Sequence, residues 1–197
     1  MSFPKPYADA VAKLRVPTGF VLAAAFLWLS APTLNSLAVG IPVALAGLAI
    51  RAWAAGHLEK NLALTDSGPY AMVRNPLYIG TLTAAAGLVI ASRRWELGVA
   101  FAATFLLVYL PVVELEEQHL RTLFPDYADY AARVPQLIPG FFLSASSSSS
   151  SGSSPGTSSG GARPKHFRWS LYRRNREYEA LAGFIAGVVV LLWKASR

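Results

Sequence analysis

An all-α, polytopic membrane fold is what this sequence predicts, and three observations predict it. The 197 residues are 53% hydrophobic and only 15% charged, outside the usual balance for a soluble domain of this length. The apolar residues gather into runs at about 16–31, 37–55, 76–91, 95–113 and 180–193, bounded by proline, glycine or charged residues. No GxGxxG follows a strand-like run and no βαβ pattern occurs, so no Rossmann domain is expected.

The runs divide the chain as follows. The first, after an amphipathic start carrying Lys5, Lys13 and Arg15, ends at Pro32. As a helix it covers about 24 Å against a hydrocarbon core of about 30 Å, so it must borrow flanking residues or thin the bilayer. A tight polar break then makes a helical hairpin with the second run. The third starts at Pro76 or Leu77, and the fourth follows the basic pair Arg93 and Arg94. The last run is short enough to be interfacial rather than spanning. Its Gly183 and Gly187 form a GxxxG pair that suits close helix contact, a pattern that also arises by chance.

Residues 1–143 therefore read as a membrane core. The serine and glycine tract at 144–161 reads as a flexible linker, because such a composition cannot bury enough apolar surface to offset its ordering entropy. Residues 162–197 carry a basic juxtamembrane segment and the final helix. The net charge of +7 flanks apolar segments instead of forming a surface stripe, which points to anionic lipid headgroups as partners and away from nucleic acid. The lack of cysteine excludes disulfides, thiolate zinc sites and a cysteine nucleophile. His57, His119 and His166 show no metal-ligand spacing, so no metal site is expected.

Lysine and arginine set the orientation. Lys5, Lys13, Arg15, Arg51, Lys60, Arg74, Arg121, Arg133 and the basic residues of 163–176 fall on the side of the N-terminus. Arg93, Arg94, Lys194 and Arg197 fall on the other. This bias predicts a cytoplasmic N-terminus, and it gathers the 56–76 loop and the 114–178 segment on one face.

Those two segments hold nearly all the chemistry. In the first, Gly68 and Pro69 mark a turn, while Pro76 biases Asn75 away from helical geometry and can open the next helix. A helix start preceded by Arg74 offers free N–H groups and a cation to a carboxylate or phosphate. Alternatively, Arg74 snorkels to the headgroups and the tyrosines form an interfacial belt. In the second segment, Glu114, Glu116 and Glu117 stand where the fourth run leaves the bilayer, and carboxylates there need pairing or solvation. Glu114 and Glu117 share one helix face and Glu116 points elsewhere. From Leu120 to Val134 the spacing predicts an amphipathic helix along the interface, with a break at Pro125.

Gly68-Pro69-Tyr70, Arg74-Asn75-Pro76-x-Tyr78-x-Gly80 and, one hairpin later, Glu116-Glu117-x-x-Leu120-x-x-x-Phe124-x-x-Tyr127-x-x-Tyr130 resemble the isoprenylcysteine carboxyl methyltransferase and phospholipid methyltransferase superfamily. The resemblance covers about residues 40–140. It implies an integral membrane methyltransferase that uses S-adenosylmethionine and acts on a lipophilic acceptor, either prenylcysteine-like or phospholipid-like. It also implies a cofactor pocket on the cytoplasmic side, framed by His57, Gly68, Tyr70, Arg74, Asn75, Pro76, Tyr78, Glu116 and Glu117. Arg74 and Glu117 would be the catalytic pair.

The chain departs from the family where Asn75 replaces the usual histidine and Pro125 the usual glycine. Asparagine cannot carry a proton near neutral pH, so a mechanism needing a base at 75 is in doubt. Two other readings stay open. One is an NADPH-dependent membrane reductase of the sterol reductase type, which shares the 74–80 pattern; the other is a non-catalytic membrane adaptor.

Overall fold

A computed structural model of the chain describes residues 4–137 and 166–197. Among these residues the long elements are α1 (Lys5–Leu29), α2 (Leu34–Ala55), α3 (Pro76–Ser92), α4 (Trp95–Thr104), α5 (Leu110–Leu123) and α8 (Glu177–Ala195). Two short helices, α6 (Tyr127–Arg133) and α7 (Trp169–Arg174), and a 3₁₀ turn at Gly68–Ala71 complete the set. A π-helical segment, Phe105–Tyr109, joins α4 to α5 in one continuous rod of 29 residues. Four helices are long and apolar enough to cross a membrane, and α3 is a shorter apolar helix of 17 residues packed among them. The all-α membrane fold is as the sequence predicts. The tract at 144–161 lies outside the described residues.

Both outer helices are longer than their apolar runs. α1 starts at Lys5, with proline in its first turn, where the missing N–H has no helical partner to lose. Its 25 residues reach about 37 Å, so the helix borrows flanking residues, the first of the two expected alternatives. α8 gains a turn from Glu177 and Glu179, whose charges suit the positive end of a helix dipole, and its 19 residues are long enough to span.

The centre of the bundle is the antiparallel α2–α3 pair, and glycine sets its closeness. A Cβ on Gly47 would lie 2.3 Å from the Ala84 nitrogen and 2.6 Å from the Gly80 oxygen. A Cβ on Gly87 would lie 2.3 Å from the Ala44 nitrogen, and one on Gly40 would lie 2.5 Å from the Gly87 oxygen. Gly40, Ala44, Gly47 and Gly80, Ala84, Gly87, Ala91 thus form two facing small-residue seams, spaced by four and three along each helix. In hydrocarbon such a seam lets backbones meet and supplies the dispersion contact that lipid would otherwise take.

The close contact that Gly183 and Gly187 would suit is not made among the described residues, where nothing stands within 4 Å of a Cβ at either. α8 docks through other residues. Leu191 packs with Leu37 and Ala91, and Lys194 Nζ donates to the Leu27 and Trp28 carbonyls at 2.9 and 3.1 Å. That lysine satisfies acceptors left open at the end of α1. Ala31 N donates to Ser92 O at 2.9 Å, so the ends of α1, α3 and α8 meet at one end of the bundle.

A proline explains a contact across the bundle. Pro111 brings no N–H to the Leu107 carbonyl one turn earlier, and the Tyr7 hydroxyl of α1 donates to that oxygen at 2.7 Å.

Candidate functional site

At the opposite end of the bundle, the end of α2, the start of α3 and the body of α5 converge. Asn75 is in an extended-side conformation (φ −124°, ψ 61°) and Pro76 opens α3. Tyr78 and Ile79 donate their N–H groups to the Asn75 carbonyl. Arg74 N and Asn75 N donate to the carbonyls of Pro135 and Gln136 at 2.8 and 3.2 Å, so the peptide groups before the helix are already engaged. The segment after α6 straps the start of α3, and the cationic character of the site comes chiefly from the Arg74 side chain.

Glu117 is buried at 8% exposure, and its two oxygens are held separately. Arg74 donates to Oε2 at 3.2 Å and Asn75 Nδ2 donates to Oε1 at 3.3 Å. Asn75 Nδ2 also reaches Gln136 O at 3.4 Å. A buried carboxylate needs such pairing, because an uncompensated charge away from water is costly. Glu116 faces another way, as its helical spacing predicts. It accepts from the Tyr78 hydroxyl at 3.1 Å and pairs with Arg15 of α1 at 3.5 Å, half-exposed on both sides. Beside this pair a groove of about 320 Å³ opens between α1 and Tyr109, lined by Arg15, Val16, Gly19, Phe20, Ala23 and Tyr109.

Tyr70, Tyr127 and Tyr130 are buried, and Tyr78 is half-buried. Tyr127 and Tyr130 are 1% and 3% exposed and pack with Val134, Leu64, Leu120 and Phe124. The helix predicted over 120–134 is broken between Leu123 and Tyr127, at the expected Pro125, and folds its aromatic face against the 56–76 loop. The Tyr130 hydroxyl donates to the Tyr70 carbonyl at 2.7 Å, which fixes the turn carrying Gly68. Burial pushes the Tyr70, Tyr127 and Tyr130 phenols above their ordinary range; at Tyr127 the nearby Glu117 adds to the rise and Arg74 opposes it.

His57 is 3% exposed, and its Nδ1 lies 2.9 Å from the Trp53 carbonyl. Its ring sits on Gly68: a Cβ there would lie 2.6 Å from His57 Cδ2, and Gly68 has φ +59°, so both space and backbone require glycine. Every residue expected to frame the pocket thus lies at this one end, with Glu117, Arg74 and Asn75 in direct contact, Glu116 with Tyr78, and His57 with Gly68. Two buried polar atoms have no partner among the described residues, Arg74 Nε and the Tyr70 hydroxyl.

Sequence reasoning overlooked the part played by the C-terminal segment. Phe167 lies so close to Gly56 that a Cβ there would meet its ring at 2.1 Å. Arg168 N donates to Gly56 O at 2.8 Å, Arg168 pairs with Glu59, and Asn175 Nδ2 donates to Ala55 O and Leu58 O at 2.8 and 3.1 Å. Residues 166–175 therefore cap the end of α2 and the loop that carries His57. Arg51, counted only for its charge, is engaged by Glu177 of α8. A lone arginine inside an apolar run was the available signal.

A family model described as Phospholipid methyltransferase matches residues 18–127, more than half of the chain and the whole of the Arg74, Asn75 and Glu117 cluster. The chain belongs to the phospholipid methyltransferase family. The chain is similar to the cobalt-zinc-cadmium resistance protein CzcN of Cupriavidus metallidurans. The two are 32% identical over 144 residues, 68% of this chain and 65% of the relative. It is also similar to the nickel-cobalt-cadmium resistance protein NccN of Alcaligenes xylosoxydans xylosoxydans. There the identity is 33% over 123 residues, 61% of this chain and 56% of the relative. The chain thus matches less than two thirds of the length of either. No solved structure matches it.

Proposed function

We propose that this phospholipid methyltransferase family member transfers a methyl group from S-adenosylmethionine to a lipophilic acceptor, at the end of the bundle where Glu117, Arg74 and Asn75 meet. One observation carries the reading. Arg74, largely buried, keeps an unpartnered Nε while its NH1 engages Glu117, so the site holds an unused N–H donor beside a buried carboxylate. A zwitterionic amino acid moiety needs that combination, a donor for its carboxylate and an anion for its ammonium.

Glu117 and Glu116 would hold the ammonium or ribose end, and Arg74 the carboxylate. Tyr78 and Asn75 would supply hydrogen bonds, and His57, Gly68, Tyr70 and Pro76 the shape of the wall. When bound, S-adenosylmethionine supplies an electrophilic methyl group on a sulfonium. The chain's own contribution is then positioning and exclusion of water, which suffices when the acceptor is already nucleophilic. Asn75 serves as a hydrogen-bonding residue and not as a base. The groove beside Arg15 and Tyr109 supports a lipophilic acceptor entering from the bilayer, and the lysine and arginine bias supports a cytoplasmic site.

The names of the relatives suggest a setting. Methylation of an acceptor carboxylate removes an anion that would ligate a divalent cation, a chemical route from this activity to metal tolerance. Methyl-transfer assays on the detergent-solubilised protein, with prenylcysteine, phosphatidylethanolamine and fatty-acid acceptors, test the reading. Transfer to one of them supports it, and transfer to none overturns it.

A further inference from the structure

Between α2, α7 and α8, a second groove of about 220 Å³ runs along Leu45, Leu48, Ala49 and Ala52, closed by Tyr172 and Leu181. Its walls are apolar except at one end, where Glu177 sits. There the Glu177 carboxylate is held in a bidentate pair by Arg51, Nε to Oε2 at 3.0 Å and NH2 to Oε1 at 2.8 Å. The third nitrogen of Arg51 donates to the Thr81 hydroxyl of α3.

An arginine fork and an adjoining tube of leucine and alanine form an unusual combination in a bilayer. The fork matches an oxyanion, and the tube matches a hydrocarbon chain. The oxyanion now present belongs to α8 itself. We propose that this groove is a binding site for an anionic amphiphile, with its carboxylate or phosphate on Arg51 in place of Glu177 and its chain along α2. Glu177 is the intramolecular occupant that the ligand must displace, so α8 closes the site when no ligand is bound. The site requires neither S-adenosylmethionine nor Glu117, and it stands or falls apart from the methyl-transfer reading.

Equilibrium binding of radiolabelled oleate, oleoyl lysophosphatidate and uncharged oleyl alcohol to the full-length protein in a neutral detergent tests the proposal. Oleate or lysophosphatidate should bind saturably and oleyl alcohol about tenfold more weakly, as expected for loss of a charge-assisted hydrogen-bonded pair. Glu177→Gln should tighten the anion, since it removes the competitor. Arg51→Gln should weaken it about tenfold, and Arg51→Lys, which keeps the charge that anchors the fold, should weaken it less. Stronger binding of oleate would mark a carboxylate ligand, stronger binding of lysophosphatidate a phosphate ligand, and equal binding the shared oxyanion chemistry. Equal affinity for the alcohol and the anions would overturn the proposal. So would a Glu177→Gln protein with wild-type thermal unfolding and unchanged affinity.

Discussion

Glu117 on α5 and Arg74 before α3 meet at 3.2 Å, in a pair whose side chains are 11% and 14% exposed, although 43 positions separate them in the chain. Removing one partner of such a pair strands the other. Glu117→Ala should cost about 3 kcal/mol in stability and abolish S-adenosylmethionine binding. Glu117→Gln, which keeps the volume, should cost less stability and still lose binding. Thermal unfolding and calorimetric titration of both variants separate a fold effect from a site effect. Full affinity in Glu117→Gln would remove the carboxylate from the site.

The α2–α3 seam makes a contrast between glycines. Gly47→Val places side-chain atoms against the backbone of Ala84 and should destabilise the bundle by several kcal/mol, on the order of an overpacked core. Gly183→Ala and Gly187→Ala meet nothing within 4 Å among the described residues and should leave unfolding unchanged, or raise it slightly through better helix propensity. Thermal unfolding in one detergent compares them. A tolerated Gly47→Val would mean that the helices are not this close.

Tyr7 and Pro111 should be coupled. Tyr7→Phe removes the donor to the Leu107 carbonyl and should cost about 1 kcal/mol. In a Pro111→Ala background, where an N–H returns to the chain one turn later, the same change should cost less. A double-mutant cycle measures the difference, and additive effects would dissociate the hydrogen bond from the proline.

Alkaline pH should destabilise the protein. The folded phenols of Tyr70, Tyr127 and Tyr130 lie above the ordinary value of about 10, so above that pH the unfolded chain holds fewer protons than the folded one. Their contribution is fully present below pH of about 10 and is lost as pH rises through it toward the folded values. Ultraviolet titration should show these phenols ionising together with unfolding. A smooth ionisation near 10 in the folded state would contradict their burial.

The membrane class and the main spans were legible because hydrocarbon demands long apolar helices with internal hydrogen bonding, and composition records that demand directly. Glu116 and Glu117 facing different partners was legible too, from the 100° step between successive helical residues. The helix ends were harder, because α1 and α8 recruit charged turns that no hydropathy run includes. The small-residue seams of α2 and α3 were not read from the sequence, whereas the spacing that was read, Gly183 and Gly187, meets nothing among the described residues; only packing separates the two cases. The strap of Pro135 and Gln136 on Arg74 and Asn75, and the Arg51 pairing with Glu177, were not legible. They join residues distant in sequence through backbone carbonyls or through a helix beyond the tract at 144–161, and no local pattern encodes either.

The cluster of Glu117, Arg74 and Asn75 is proposed as part of a site for S-adenosylmethionine. Isothermal titration of the detergent-solubilised protein with S-adenosylmethionine, S-adenosylhomocysteine and NADPH tests it most directly. The account predicts saturable binding of the first two and none of NADPH. Binding of NADPH alone, or of none of the three, would contradict it.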